Sequence, residues 1–196
     1  KSANIRQAAH DIVMSKSFDN GMVCASEQAV IIDKEIYDEF VEEFKSYHTY
    51  FVNKKEKALL EEFCFGAKAN SKNCAGAKLN PNIVGKSAVW IAEQAGFTVP
   101  EDTNILAAEC KEVGEKEPLT REKLSPVIAV LKSEDTEDGL KKARQMVEFN
   151  GLGHSAAIHT KDETLAKRFG TEIKAMRIIW NSPSTFGGIG DVYNAF

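Results

Sequence analysis

The sequence predicts an α/β fold in which a largely parallel sheet is flanked by helices. Segments with an apolar residue every three or four positions alternate with short apolar runs, which is the pattern of helices alternating with buried strands. With 43% hydrophobic residues over 196 positions, the chain has enough apolar side chains to build a substantial core.

The first half of the chain begins with an apolar stripe that predicts a helix over about Asn4–Ser15. The run Ala29–Ile32 predicts the first strand, and two further stripes predict helices around 37–47 and 59–64. Gly, Ala, Asn and Lys dominate Gly66–Pro81, so this segment is predicted to be an irregular surface excursion.

The second half continues the alternation. A helix over Ala88–Ala95 is predicted to end at Gly96, because glycine readily adopts the left-handed conformation of a helix cap. The remaining predicted elements are strands at Asn104–Ala108, Val127–Leu131, His154–His159 and Arg177–Trp180, with helices around 140–147 and 165–173. Strands alternating with helices favour parallel pairing.

Composition excludes several classes of function. A net charge of −4 provides no basic field for nucleic acid or an anionic membrane, and the apolar runs are too short to span a bilayer. The four cysteines have no metal-binding spacing, so no metal site is predicted, and reduced thiols in the cytoplasm are expected. Because the chain starts at Lys1, without Met, we expect it to be part of a longer protein.

Cys24 is the candidate nucleophile. It follows the turn signal Asn20-Gly21 and precedes a buried strand, a position that holds a thiol rigidly while leaving it reachable. The alternative for any free cysteine is a small buried hydrophobe. That interpretation fits Cys64 and Cys110, whereas Cys74 is predicted to be exposed and without a role.

The segment Phe18-Asp19-Asn20-Gly21-Met22-Val23-Cys24-Ala25-Ser26-Glu27-Gln28 resembles the catalytic-cysteine segment of the CoA-acylating aldehyde dehydrogenases. The resemblance is closest to the aldehyde dehydrogenase half of the bifunctional aldehyde–alcohol dehydrogenases. It implies that residues 1–196 are an aldehyde dehydrogenase-type catalytic domain, with the nucleotide-binding domain and the oligomerisation arm outside this chain. It also implies NAD as cofactor, coenzyme A as co-substrate, and the Cys24 N–H as half of an oxyanion hole.

A second motif, Glu122-Lys123-Leu124-Ser125-Pro126, resembles the family signature whose glutamate binds the nicotinamide ribose. The resemblance makes Glu122 the ribose contact and Leu124 an aliphatic contact to the nicotinamide. Without the family, Glu122 is a solvated carboxylate in a charged stretch before a strand.

His154 follows Gly151-Leu152-Gly153, and this short sequence is similar to the corresponding one in the CoA-acylating relatives. An imidazole titrates near neutrality, so His154 is a candidate to assist attack by the CoA thiol or to help dock CoA. The alternative is a structural histidine held by hydrogen bonds.

The glycine-rich run Asn181–Asp191 is not a phosphate loop, because no Lys-Ser/Thr pair follows it. It resembles the family segment that lines the aldehyde pocket, which makes Phe186 a candidate for the pocket wall. A plain glycine-rich loop is the alternative.

Together the motifs imply an acylating acetaldehyde dehydrogenase that interconverts a short aldehyde and its acyl-CoA through a thioester on Cys24. The parent is expected to be a cytoplasmic homo-oligomer, and the sequence leaves open whether it forms filaments and whether it carries a fused alcohol dehydrogenase domain, as the bifunctional relatives do. The isolated chain is expected to fold but to show little or no activity. The alternatives are a hydrolytic aldehyde dehydrogenase and a non-catalytic assembly module of the same fold; glutamyl-phosphate reductase shows no special resemblance.

Overall fold

A computed structural model describes residues 1–66, 77–150 and 152–190. Over these residues the chain alternates helices and strands, as the apolar patterning predicts. The α-helices are α1 Ile5–Ser17, α2 Tyr37–Ser46, α3 Lys54–Phe65, α4 Ala88–Ala95, α5 Thr136–Asn150, α6 Glu163–Glu172 and α7 Phe186–Ile189. The strands are β1 Ala29–Asp33, β2 Thr49–Phe51, β3 Ile105–Cys110, β4 Val127–Ser133, β5 Gly153–Ile158 and β6 Ala175–Trp180.

Four of the strands form a sheet in the order β1-β4-β3-β2, and every pairing in it is parallel. The central strand β4 is buried at six of its seven positions, as expected for a parallel strand covered on both faces. The predicted parallel sheet is confirmed. The sequence pattern missed β2, because three residues are too few to show a period, and that strand is fixed by its pairing to β3.

Helices cover both faces of this sheet. One face packs against α3 and α4 around Leu60, Ile91 and Leu106, and the other packs against α1 and α2 around Ile12 and Phe44. Alternate residues of β4 point into the two cores, so each strand residue contributes to one side or the other. Gly96 caps α4 in the left-handed conformation, with a φ of 95°, as predicted.

The other two strands, β5 and β6, form a separate parallel pair. Helix α5 contacts β1, β4 and β5, and so connects the two sheets. The sequence did not predict this division, because an apolar run identifies a buried strand without identifying its neighbour. Gly66–Pro81 was predicted to be irregular, and residues 67–76 of it lie outside the described residues.

Candidate active site

Cys24 lies on a tight turn between α1 and β1. Asp19, Asn20 and Gly21 all have left-handed backbone angles, with φ of 48°, 50° and 68°. Asn and Asp adopt this conformation more readily than other non-glycine residues. Ser26 N–H donates to the Val23 carbonyl at 2.9 Å, which closes a second turn around the cysteine. The Cys24 side chain is exposed at the end of this arrangement.

The Cys24 turn packs against the segment that carries Glu122. A Cβ atom on Gly21 would lie 2.5 Å from the Ser125 carbonyl oxygen, so only glycine allows the two backbones to approach this closely. Gly85 links the same two segments, since its carbonyl accepts from Asn20 Nδ2 at 3.1 Å and its N–H donates to Leu124 O at 3.1 Å. The turn and the Glu122 segment are therefore one packed unit.

The chain that follows β6 closes the other side of the turn. Ser184 N–H donates to Glu27 Oε1 at 3.0 Å, and Thr185 N–H donates to Ser15 Oγ at 3.1 Å. A Cβ atom on Gly188 would lie 2.8 Å from the Ala25 Cβ, so this segment also approaches the turn closely. Part of the glycine-rich run, Phe186–Ile189, forms the short helix α7, so the alternative of a plain glycine-rich loop does not hold for these residues.

Three of the predicted site residues line one cavity of about 560 Å³, namely Cys24, Glu122 and His154. Cys24 precedes β1, Glu122 precedes β4, and His154 is the second residue of β5. Each therefore lies at the amino end of a parallel strand. The cavity lies between β1, an edge strand of the four-stranded sheet, and β5 of the two-stranded sheet. Its volume is within the range of small-molecule binding sites.

The other two predicted residues lie beside this cavity and do not line it. Leu124 is half-buried next to Glu122, and its φ of 48° is unusual for a leucine. Phe186 is half-buried on α7. Their roles stay predictions.

Three charged side chains at the site, Lys16, Glu27 and Lys123, were not predicted from the sequence. Burial raises the pKa of Glu27 to about 7 and lowers the pKa of Lys123 to about 8. The pKa of Lys16 is lowered well below its ordinary value, mainly by burial and then by the charge of Lys123. One signal was available for Lys16, since it follows Ile12 by four residues and so continues the apolar stripe of α1.

The remaining described cysteines are structural. Cys64 and Cys110 are free and buried, as predicted, and burial raises the pKa of each thiol to about 12. Cys74, predicted to be exposed, lies outside the described residues. Within the described residues there is no His, Cys, Asp and Glu cluster suited to a metal ion, and no helix is long and apolar enough to cross a bilayer.

Known proteins resemble this chain over nearly its full length. An aldehyde-alcohol dehydrogenase of Streptococcus pneumoniae is 89% identical over 196 residues, and the bifunctional aldehyde-alcohol dehydrogenase of Escherichia coli K12 is 41% identical over 197. These matches cover 100% and 99% of this chain but only 22% and 21% of the relatives, so the chain spans about a fifth of their length.

Solved structures have the same fold. An acetylating aldehyde dehydrogenase from Geobacillus thermoglucosidasius superposes with a TM-score of 0.90 at 38% identity, covering 98% of this chain and 40% of that one. A propionaldehyde dehydrogenase from Rhodopseudomonas palustris, with bound CoA and an acylated cysteine, superposes with a TM-score of 0.81 at 26% identity, covering 95% and 40%. The family model for aldehyde dehydrogenases matches residues 1–191, and the chain therefore belongs to the aldehyde dehydrogenase family.

Proposed function

We propose that residues 1–196 form the cysteine-bearing catalytic domain of a CoA-acylating aldehyde dehydrogenase. The substrate pair is a short aldehyde, such as acetaldehyde, and its acyl-CoA. The observation that carries the proposal is the shared cavity, which is lined by a thiol, a carboxylate and an imidazole from three separate segments. The acetylating and propionaldehyde dehydrogenases among the similar structures support it.

Cys24 is the nucleophile in this proposal. Its thiolate attacks the aldehyde carbon, a C–S bond forms, and the carbonyl electron pair moves onto oxygen, where the Cys24 N–H stabilises it. Bound NAD would supply the hydride acceptor, and the electron pair on oxygen would re-form the carbonyl as the hydride leaves this carbon. The acyl group then remains on Cys24 as a thioester. The reverse sequence reduces an acyl-CoA to the aldehyde.

Glu122 is the residue that fits a nicotinamide nucleotide. Its carboxylate is exposed and faces the cavity, where two oxygens match the two hydroxyl donors of a ribose. Leu124, held beside it, supplies an aliphatic contact to the nicotinamide ring. The two residues orient the cofactor with respect to the thiol.

His154 acts on the second substrate. Its half-buried imidazole lines the cavity that Cys24 faces, so it is placed to accept the proton of the CoA thiol as that thiol attacks the thioester. The C–S bond to Cys24 then breaks, and the Cys24 thiolate is regenerated. Phe186 contributes to the wall of the aldehyde site.

The wider assembly is also part of the proposal. The two similar aldehyde-alcohol dehydrogenases support a parent protein with a fused alcohol dehydrogenase domain. We further propose that this parent is a homo-oligomer that forms filaments. The free thiols of Cys24, Cys64 and Cys110 fit the reducing environment of the cytoplasm.

The test is acyl transfer by the full-length enzyme that carries this chain. Incubation with acetyl-CoA alone should add an acetyl group to Cys24, detected by peptide mass, while the buried Cys64 and Cys110 remain unmodified. Cys24→Ala should lose both this label and all CoA-dependent NADH formation from acetaldehyde. Acetate formed at the same rate without CoA would instead indicate a hydrolytic enzyme. No acyl label on any cysteine, with no turnover, would indicate an assembly module.

A further inference from the structure

Lys123 is a fully buried cation between two segments of the site. Its side chain has no solvent exposure, yet its ammonium group is saturated with hydrogen bonds. Nζ donates to the carbonyl oxygens of Leu119 at 2.6 Å, Arg121 at 2.7 Å and Gln28 at 3.1 Å. An ammonium has three N–H donors, so all of them are used on backbone carbonyls.

These carbonyls belong to the segments that carry the two functional groups. Leu119 and Arg121 lie three residues and one residue before Glu122, and Gln28 lies between Cys24 and β1. The Lys123 N–H also donates to Gln28 Oε1 at 3.1 Å, which adds a second link between the same segments. The ammonium therefore fixes the peptide that leads into Glu122 against the peptide that follows Cys24.

The backbone next to Lys123 is strained. Leu124 is held in the left-handed region at a φ of 48°, a conformation that costs a non-glycine residue on the order of 1 kcal/mol or more. Such a conformation persists only where the surroundings hold it, and the Lys123 bonds lie directly before it. Ser125, the next residue, packs against Gly21 of the Cys24 turn.

A comparison with Lys57 distinguishes this arrangement from an ordinary buried ion pair. Lys57 lies at the carboxyl end of β3, where its Nζ donates to Glu109 O at 2.7 Å and pairs with the Glu117 carboxylate. Lys123 has no carboxylate among its hydrogen-bond partners in the described part of the chain. A cation buried on backbone carbonyls alone is costly to retain, unless holding the backbone is its task.

We propose that Lys123 is a positioning residue. It holds Glu122 at a fixed distance from Cys24, so that the nicotinamide ring of the bound nucleotide lies next to the thiol. This inference rests on the proposed function. Lys123 does not touch substrate; it acts through the backbone of the Glu122 segment. Its loss is therefore expected to weaken nucleotide binding more than CoA binding.

The first test uses Lys123→Met in the full-length enzyme, with Lys57→Met as the matched control. Lys123→Met should raise the KM for NAD about tenfold in CoA-dependent aldehyde oxidation, because hydrogen bonds to a charged group are lost. The KM for CoA should stay within about twofold, whereas Lys57→Met should lower the melting temperature and leave both KM values unchanged. An unchanged KM for NAD in a folded Lys123→Met enzyme would overturn the proposal. If the wild-type enzyme showed no CoA-dependent oxidation, the proposed function would fail instead.

If Lys123→Met does not fold, the KM for NAD measured over a range of pH tests whether the charge of Lys123 supports nucleotide binding. The pKa of Lys123 is lowered by burial to about 8, while Cys110, Cys64 and Glu122 face it and act in the opposite direction. Among the described residues, Lys16 on α1 is also a fully buried cation, and its pKa is also lowered. The wild-type KM for NAD should therefore rise between about pH 7.5 and 9.5, as Lys123 loses its proton.

Two variants assign this rise to one lysine. Lys123→Arg keeps its charge throughout this range, so its KM for NAD should stay flat, whereas Lys16→Met should retain the rise. A flat wild-type profile, parallel profiles for the wild type and Lys123→Arg, or loss of the rise in Lys16→Met would each overturn the assignment to Lys123.

Discussion

Each of the two ends of the four-stranded sheet holds a lysine, fully buried in the case of Lys123 and half-buried in the case of Lys57, and the two ammonium groups are hydrogen-bonded in different ways. At the carboxyl end of β3, Lys57 pairs with Glu117, whose other carboxylate oxygen accepts the Lys111 N–H at 3.0 Å. At the amino ends of β1 and β4, Lys123 bonds only to carbonyls, and Glu27 Oε2 and Ser125 Oγ are buried without a partner in the described residues.

Backbone strain follows the same division. Asp19, Asn20 and Leu124 are three of the five described non-glycine residues with positive φ, and all three lie in the amino-end segments. Strain and unpaired polar atoms reduce stability, so folds retain them where a site needs a fixed geometry. The carboxyl end of β3 is therefore arranged for stability, whereas the amino ends of β1 and β4 hold the candidate site residues in a fixed geometry.

The largest expected effect is that of His154→Ala in the full-length enzyme. Removing the imidazole should slow acyl transfer to CoA about a hundredfold, because a positioned acid–base group contributes at least that much. The first burst of NADH should keep its rate, since thiol attack and hydride transfer precede the CoA step. Rapid-mixing kinetics measure both phases.

His48→Ala is the control for this prediction, because His48 is an exposed histidine that pairs with Asp102 at 2.8 Å outside the cavity. Both phases should be normal in that variant. Equal slowing of the burst and of acyl transfer in His154→Ala would mean that His154 positions the aldehyde or supports the fold.

The next effect compares two glycines with nearly the same backbone angle. Gly21→Ala should lower activity at least tenfold and destabilise the chain by about 2 kcal/mol, because its Cβ would meet the Ser125 carbonyl and displace the Cys24 turn. Gly66 caps α3 with a φ of 65° and has no atom within 4 Å of such a Cβ. Gly66→Ala should cost only about 1 kcal/mol, with normal activity. Urea unfolding and the CoA-dependent assay check both variants, and equal activities would refute the close-packing argument.

A smaller effect concerns the pH dependence of stability. The pKa of Glu27 is raised by burial to about 7, so the folded chain holds this proton between about pH 4.5 and 7 while the unfolded chain releases it. The free energy of unfolding should therefore fall as pH rises through this window. Glu27→Gln should reduce this fall in the free energy of unfolding by about 1–2 kcal/mol across the window.

Glu137 provides a control of opposite sign. Its hydrogen bond to Arg168 lowers its pKa, so its contribution to stability is present above its ordinary pKa and is lost as pH falls through the lowered value. Glu137→Gln should leave the slope between pH 5 and 7 unchanged. The slope is measured by urea titration of the 196-residue chain at several pH values, and an unchanged slope in Glu27→Gln would contradict the assignment.

The smallest effect is expected for Phe186→Ala. Phe186 is half-buried on α7 and does not line the cavity, so the KM for acetaldehyde should rise about threefold or less. Steady-state kinetics with acetaldehyde and propionaldehyde check this. A tenfold or larger rise would mean that Phe186 touches the aldehyde itself, beyond supporting the wall of the site from α7, and would require α7 to move toward the cavity when substrate binds.

Much of this fold was predictable because buried faces of helices and strands require apolar residues at regular spacings in the local sequence. The apolar stripe of α1, the run of β1 and the cap at Gly96 each depend on residues within a few positions of one another. The turn that carries Cys24 was predictable for the same reason, since Asn20-Gly21 is itself a turn signal. By contrast, β2 and the helix α7 were missed, because three or four residues are too few to show a period.

The sequence by itself determined the longer helices and strands, and the turn that holds a thiol in reach of solvent, because these depend on local burial patterns and turn chemistry. Only the tertiary structure decided that β5 and β6 form their own sheet and that Cys24, Glu122 and His154 share a cavity. It alone revealed that Lys123 joins the two main motifs, through a hydrogen bond between residues 95 positions apart. Contacts between residues so far apart in sequence depend on how whole helices and strands pack. The residues around a lysine in the sequence do not show whether its side chain is buried or exposed.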